Sequence, residues 1–173
     1  TRSDTYSTNQ IAMLRGTMLA PGKKQGEDMQ IVYGNAWEYP ADCVCIPTNG
    51  SVKRNGECVM GRGVALQASQ RYPGLALKIG QAVKLRGNRL HMMGSLCTFP
   101  VKHEWHQKAD KALIVQSARQ LQILADACQK EIGPWRFVLP RPGCGNGGLT
   151  WDEVRPLIED ILPDNVHVIT NGE

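Results

Sequence analysis

The chain has 173 residues, 42% of them hydrophobic and 21% charged, and 20 basic against 16 acidic side chains leave a formal charge of +4. At roughly 150 residues per domain this is one compact unit with modest extensions, able to bury about 70% of its unfolded surface without disulfide or metal staples. The composition is that of an ordinary soluble globular chain, and no stretch approaches the ~20 uninterrupted apolar residues of a membrane-spanning helix, which disfavours a membrane reading.

The polar start TRSDTYSTNQ lacks the apolar core of a secretory signal. The cysteines, at 43, 45, 58, 97, 128 and 144, are scattered through apolar segments without a Cys-x-x-Cys pair. Free thiols and a cytoplasmic location are the expectation. His103 and His106 have no neighbouring thiolates, so no metal is expected, and nothing calls for a cofactor. The positive charge permits a phosphate-bearing ligand without demanding one.

Residues 1–28 end in the Gly-rich stretch PGKKQGED and are expected to be an extension, with IAMLRGTML (11–19) as a candidate added edge strand. Short apolar runs bounded by turn residues predict core strands at MQIVY (29–33) and DCVCIPT (42–48). A long polar and Gly-rich loop, 49–63, separates them from two helical patterns, VALQASQRY (64–72) and LALKIGQAVKL (75–85). LHMMGSLCTFP (90–100) reads as one strand, followed by the polar loop VKHEWHQKAD. The longest helical pattern covers 111–132, with Gly133-Pro134 as its stop. WRFVLP (135–140) predicts a strand, DEVRPLIEDIL (152–162) a helix, and VHVIT (166–170) a final strand. This alternation predicts a three-layer α/β/α sandwich around a mixed, mostly parallel sheet.

Two glycine-rich loops each follow an apolar strand and open a helix. There, backbone N–H groups and the positive helix end suit an anion. In the first, Gly61 and Gly63 flank Arg62; in the second, Gly143, Gly145, Gly147 and Gly148 fall within six residues, a composition that suits wrapping a diphosphate. Plain connecting turns share such compositions. Neither loop matches G-x-x-x-x-G-K-[ST] or a G-x-G-x-x-G at the first turn of a βαβ unit, which argues against ATP hydrolysis and dinucleotide redox chemistry.

Gly34-Asn35, Pro47-Thr48-Asn49, Met60-Gly61-Arg62-Gly63-Val64-Ala65 and Pro140-Arg141-Pro142-Gly143-Cys144-Gly145, with Gly148-Leu149 and Trp151, together resemble the macrodomains, modules that bind ADP-ribose. The resemblance covers residues 29–173. The PxxGCG loop followed by L-x-W is similar to the branch containing terminal ADP-ribose glycohydrolases and the antitoxins that remove ADP-ribose from thymidine in DNA.

The resemblance implies roles residue by residue. Asn35, beside Ala36, would meet the adenine; most macrodomains carry an aspartate at 35, and an amide oxygen can still accept the same hydrogen bond without charge. Thr48 and Asn49, at a strand end, would face the distal ribose, and Met60, Gly61, Gly63 and Val64 would hold that ribose and its phosphate. Pro142, Gly143, Cys144, Gly145, Asn146 and Gly147 would wrap the diphosphate. Lys102 matches the catalytic lysine of the branch. Where the glycohydrolases add a loop aspartate this chain has Gly147, as the DNA-directed antitoxins do.

Cleaving a glycosidic bond develops positive charge on the sugar and negative charge on the leaving group, so the ribose must be held while a nucleophile or proton donor reaches its anomeric carbon. Lys102 suits either role. His103 and His106 are candidate proton carriers. Trp105 is a candidate to stack on a base or line the ribose pocket, and Trp151 is expected to pack in the core. Lys53, Arg54, Arg62, Lys102 and Arg141 flank the loops and suit a passing nucleic-acid strand.

The function implied is release of ADP-ribose from a modified substrate, with thymidine in single-stranded DNA as the leading one and a cognate toxin as a candidate partner. A non-catalytic ADP-ribose reader and an ADP-ribose 1″-phosphate phosphatase are the alternatives.

Overall fold

The computed structural model describes residues 28–172. The expected N-terminal extension and its edge strand therefore lie, apart from Asp28, outside the described residues. The strands are β1 (Gln30–Tyr33), β2 (Cys43–Asn49), β3 (Met92–Met93), β4 (Leu96–Lys102), β5 (Phe137–Pro140) and β6 (Val166–Thr170). The helices are α1 (Gly63–Arg71), α2 (Leu75–Arg86), α3 (Lys111–Glu131) and α4 (Trp151–Ile158).

The strands form one sheet in the order β1-β6-β5-β2-β4-β3. All pairs are parallel except β3 with β4. Both faces are covered, which is why β4 and β5 read as continuous apolar runs and not as alternating ones. Cys43, Cys45, Phe99, Phe137 and Val168 pack with α3 and α4 on one face. Ile46, Ala68, Leu75 and Ile79 form the core under α1 and α2 on the other, and Ala36, Val138 and Ile169 continue that layer beneath the β1–β2 connection. This is the expected mixed α/β/α sandwich.

Two local expectations are corrected. The segment 90–100 is not one strand: Gly94, at φ +64°, turns the chain, so that Met92–Met93 folds back antiparallel on β4. The last helix ends at Ile158, short of residue 162, and contains Pro156, which supplies no N–H to the turn before it.

Sheet topology positions the site. Connections from β2 run towards β4, and connections from β5 run towards β6, so the winding reverses between β2 and β5. In open α/β sheets ligands bind outside the carboxyl ends of the strands at such a reversal. Here β2 and β5 pair only at Cys43 with Phe137 and Val44 with Val138, and then part.

The long connection after β2 is held down by α2, where Cys58 N–H donates to Ala76 O at 2.8 Å. Gly80 allows this contact, because a Cβ there would lie 1.9 Å from Gly56 O. Gly80→Ala removes a helix-interior glycine, worth about 1 kcal/mol in isolation, yet the backbone clash should dominate. The expected result is a net loss of about 2–3 kcal/mol, read as a lower urea midpoint at unchanged slope.

Candidate functional site

Three connections are bonded to one another at the carboxyl edge of the sheet, 50–62 after β2, 103–110 after β4 and 141–150 after β5, and the connection after β1 leaves from the same edge at Gly34. Their mutual bonds define the site. β4 carries a bulge against β2: Thr48 pairs with Pro100, but Asn49 pairs with Lys102, so Val101 is skipped. Bulges re-aim side chains, and this one sets Lys102 beside the end of β2. Gly50 N–H donates to His103 O at 3.1 Å and Asn88 Nδ2 donates to Lys102 O at 2.9 Å, clamping the two strand ends. A Cβ on Gly50 would stand 2.7 Å from His103 O, so the clamp requires glycine.

Half-buried Lys102 bridges two loops. Its Nζ donates to Asn146 O at 3.2 Å and to Trp105 O at 3.3 Å. Asn146 also reaches the first glycine loop: a Cβ placed on Gly63 would lie 3.5 Å from Asn146 Nδ2. The two glycine-rich turns and the lysine amine therefore lie together at this edge of the sheet.

Helix starts at this edge are treated differently. Asp110 caps α3, accepting from Leu113 N–H at 3.1 Å, and Thr150 with Glu153 closes α4 in a capping box. The start of α1 has Arg62 at its cap position, no side-chain cap and no acidic residue in its first turn. Its N–H groups and positive end are left available to an anion.

The loop glycines also divide into two kinds. A Cβ at Gly61 or Gly145 would meet nothing within 4 Å, which leaves bare backbone facing open space. Gly143 and Gly147 are buried, and a Cβ would come within 2.7 Å of Ile114 Cδ1 at the former and 3.0 Å of Ala109 Cβ at the latter. Those two glycines let the second loop seat against α3 and its entry; Ala109 N–H donates to Gly147 O at 2.8 Å. An aspartate at 147 would crowd Ala109.

No family model matches the chain. A DNA ADP-ribosyl glycohydrolase of Thermus aquaticus (strain ATCC BAA-2747 / Y51MC23) is 27% identical over 146 residues, covering 78% of this chain. The chain spans 38% of that relative's length. The macrodomain of Thermus aquaticus DarG matches with a TM-score of 0.64 and 26% identity, covering 82% of this chain and 95% of that one. Thermosipho africanus DarTG in complex with ADP-ribose matches with a TM-score of 0.64 and 19% identity, covering 83% of this chain and 43% of that one.

The chain has the macrodomain fold and is similar to macrodomains of DarG type.

Several of the macrodomain's predicted site residues already have partners. Asn49 Nδ2 donates to Val59 O at 2.9 Å and its Oδ1 accepts from Ser51 N–H at 3.0 Å, so this side chain braces the first loop. Asn35 Oδ1 accepts from Trp37 N–H at 2.8 Å, forming an Asx turn after β1. Ala36, Thr48, Met60 and Pro142 are buried, whereas Val64 and Cys144 are half-buried. Burial pushes the Cys144 thiol up against the opposing pull of Arg141, which disfavours a thiolate there. Arg141 stacks over Trp151 at 4.7 Å, and Trp151 packs against the core.

His103 and His106 each meet a carboxylate at 3.0 Å, Asp110 and Glu104 respectively. Ser51, Asn88 and Asp110 organise the site but are absent from the sequence-based set. Only Asp110 had a signal, as an acidic residue immediately before a helical pattern. Among the described residues no group of three or more His, Cys, Asp or Glu is placed to hold a metal, and no helix is long and apolar enough to cross a membrane. A concavity of about 640 Å³, with Asp42, Tyr72 and Trp135 in its lining, lies at the opposite, amino edge of the sheet.

The N–H of Leu113, and then His103, hold the Asp110 carboxyl below the usual aspartate range. A group depressed in this way stabilises fully above its unfolded value of about 3.9 and loses that contribution as pH falls through its lower folded value. Asp110→Ala should therefore cost about 1 kcal/mol at neutral pH. In paired urea titrations the gap to wild type should close as the pH is taken below about 3.9.

Proposed function

We propose that this macrodomain binds ADP-ribose across the carboxyl edge of its sheet and hydrolyses the bond linking the distal ribose to a modified substrate, with thymidine in single-stranded DNA as the preferred one. The observation that carries the reading is the bridge from Lys102 Nζ to Asn146 O, which ties the lysine amine to the second glycine loop. The likeness to a DNA ADP-ribosyl glycohydrolase and to a DarG macrodomain supports the substrate class.

In this reading the uncapped start of α1 and the bare backbone at Gly61, Gly63 and Val64 take the distal phosphate and ribose. The turn from Gly145 to Gly147 lies along the diphosphate, with Cys144 and buried Pro142 and Gly143 shaping it. Asn35 and Ala36 meet the adenine; the Asn35 oxygen already accepts one bond and has a second lone pair to offer. Thr48, Met60 and Asn49 form the floor and frame of the ribose pocket.

Lys102 spends two donors on backbone carbonyls. One position remains on the nitrogen: a third N–H in the ammonium form, for the leaving group, or a lone pair in the neutral amine, for attack on the anomeric carbon. Release of ADP-ribose then requires water at that carbon. Gly147 supports a route without the loop aspartate, since no carboxylate stands at that position and a Cβ there would come within 3.0 Å of Ala109 Cβ. The buried free thiols fit action in a reducing cytoplasm, and a cognate toxin that writes the modification is the proposed partner.

ADP-ribose, compared with ATP and NAD, should selectively raise the melting temperature, since a ligand at 100 times its Kd stabilises by about 2.7 kcal/mol. Lys102→Ala should keep that shift yet release ADP-ribose from a thymidine-modified oligonucleotide roughly 100-fold more slowly or worse. Equal turnover by both proteins would refute the role of Lys102. Stabilisation without turnover by wild type would instead identify a reader, and phosphate release from ADP-ribose 1″-phosphate a phosphatase.

A further inference from the structure

Trp105 stands in the β4–α3 connection with 57% of its surface exposed, and it belongs to none of the three core clusters. A tryptophan so placed leaves unused one of the largest apolar surfaces a side chain can bury. Its main chain is nevertheless fixed on both sides. The Trp105 N–H donates to Ser51 Oγ at 2.9 Å, and its carbonyl accepts from Lys102 Nζ at 3.3 Å. The main chain that carries the indole is thus held against the Lys102 amine, and the His106 ring meets the indole edge-on, with centroids 5.5 Å apart at 85°. His106 is itself held by Glu104 at 3.0 Å.

We propose that Trp105 is the stacking platform for the nucleobase attached to the distal ribose, and so the residue that selects a base-linked substrate over an amino-acid-linked one. The proposal rests on the reading of Lys102 as the group acting at the anomeric carbon. Whatever is bonded to that carbon leaves on the side away from the ribose and stays within a few bond lengths of the amine. A flat, weakly solvated base can lie against an indole face, and such stacking tolerates any base because each has a π-face. A charged, flexible amino-acid side chain gains little there. Exposed Lys53 and Arg54 follow Ser51 in the facing loop, where they suit the phosphates on either side of a stacked nucleotide.

Trp105→Ala, Trp105→Phe and wild type are to be compared on a thymidine-modified oligonucleotide, on an ADP-ribosylated glutamate peptide and for binding of free ADP-ribose by calorimetry. With alanine, kcat/KM on the oligonucleotide should fall about 5- to 150-fold, the range for losing one base–aromatic stack. Phenylalanine should recover most of it, the peptide rate should be unmoved, and the Kd for ADP-ribose should stay within about twofold, because no stack is made to the nucleotide sugar. Unchanged turnover of the oligonucleotide by Trp105→Ala would overturn the proposal. So would a parallel loss of ADP-ribose affinity, which would put the ring in the ribose pocket. A wild-type protein that binds no ADP-ribose would overturn the underlying functional reading, and this inference with it.

Discussion

Two residue pairs join β2 to β5 before the strands separate, and that short seam governs the arrangement of the carboxyl edge. The winding reverses there, so the connections leaving the two strands run to opposite sides and cannot cover the gap between them. What fills the rim is backbone rich in glycine, tied together through Lys102, Asn146 and Trp105. The bulge in β4 completes the geometry by bringing Lys102 level with Asn49. A longer β2–β5 ladder would close the crevice, and a regular β4 would pair Asn49 with Val101.

Within this frame, residues of one type do different physical work. Gly50, Gly80 and Gly143 permit close packing, since a Cβ on any of them would collide with a neighbouring atom under 3.0 Å away. Gly61 and Gly145 face open space and leave main-chain atoms accessible. Helix starts show the same division: side chains satisfy those of α3 and α4, while that of α1 is uncapped. An anion drawn to this edge thus finds free donors mainly where the proposed distal phosphate would lie. Lys102, between the loops, is the natural meeting point of binding and chemistry in that reading.

The loop after β4 then acquires two distinct parts. Its first residue beyond the sheet, His103, is fastened to the cap of α3, whereas Trp105 projects into solvent from a backbone pinned by Ser51 and Lys102. Rigidity of the main chain with exposure of the ring is an arrangement suited to meeting a flat partner without an ordering cost at the moment of contact. The proposed site would in this way read the nucleotide sugar with backbone and the attached base with an aromatic face.

Apolar runs, turn residues and helical periodicity determine the element order of the sandwich, because each reflects local backbone preference and one-sided or two-sided burial. The macrodomain resemblance and the two glycine loops are legible for the same reason, since their signal lies in residue types adjacent in the chain, whereas the role proposed for Lys102 comes from the resemblance alone. Only the tertiary structure decides that Met92–Met93 folds back as a separate strand, that β4 bulges before Lys102, and that β2 parts from β5. It alone assigns Asn49 to bracing the loop and brings in Ser51 and Asn88, whose partners lie 54 and 14 residues away. Register and hydrogen-bond partners across strands depend on which segments become neighbours in space, and a linear pattern carries that information only weakly.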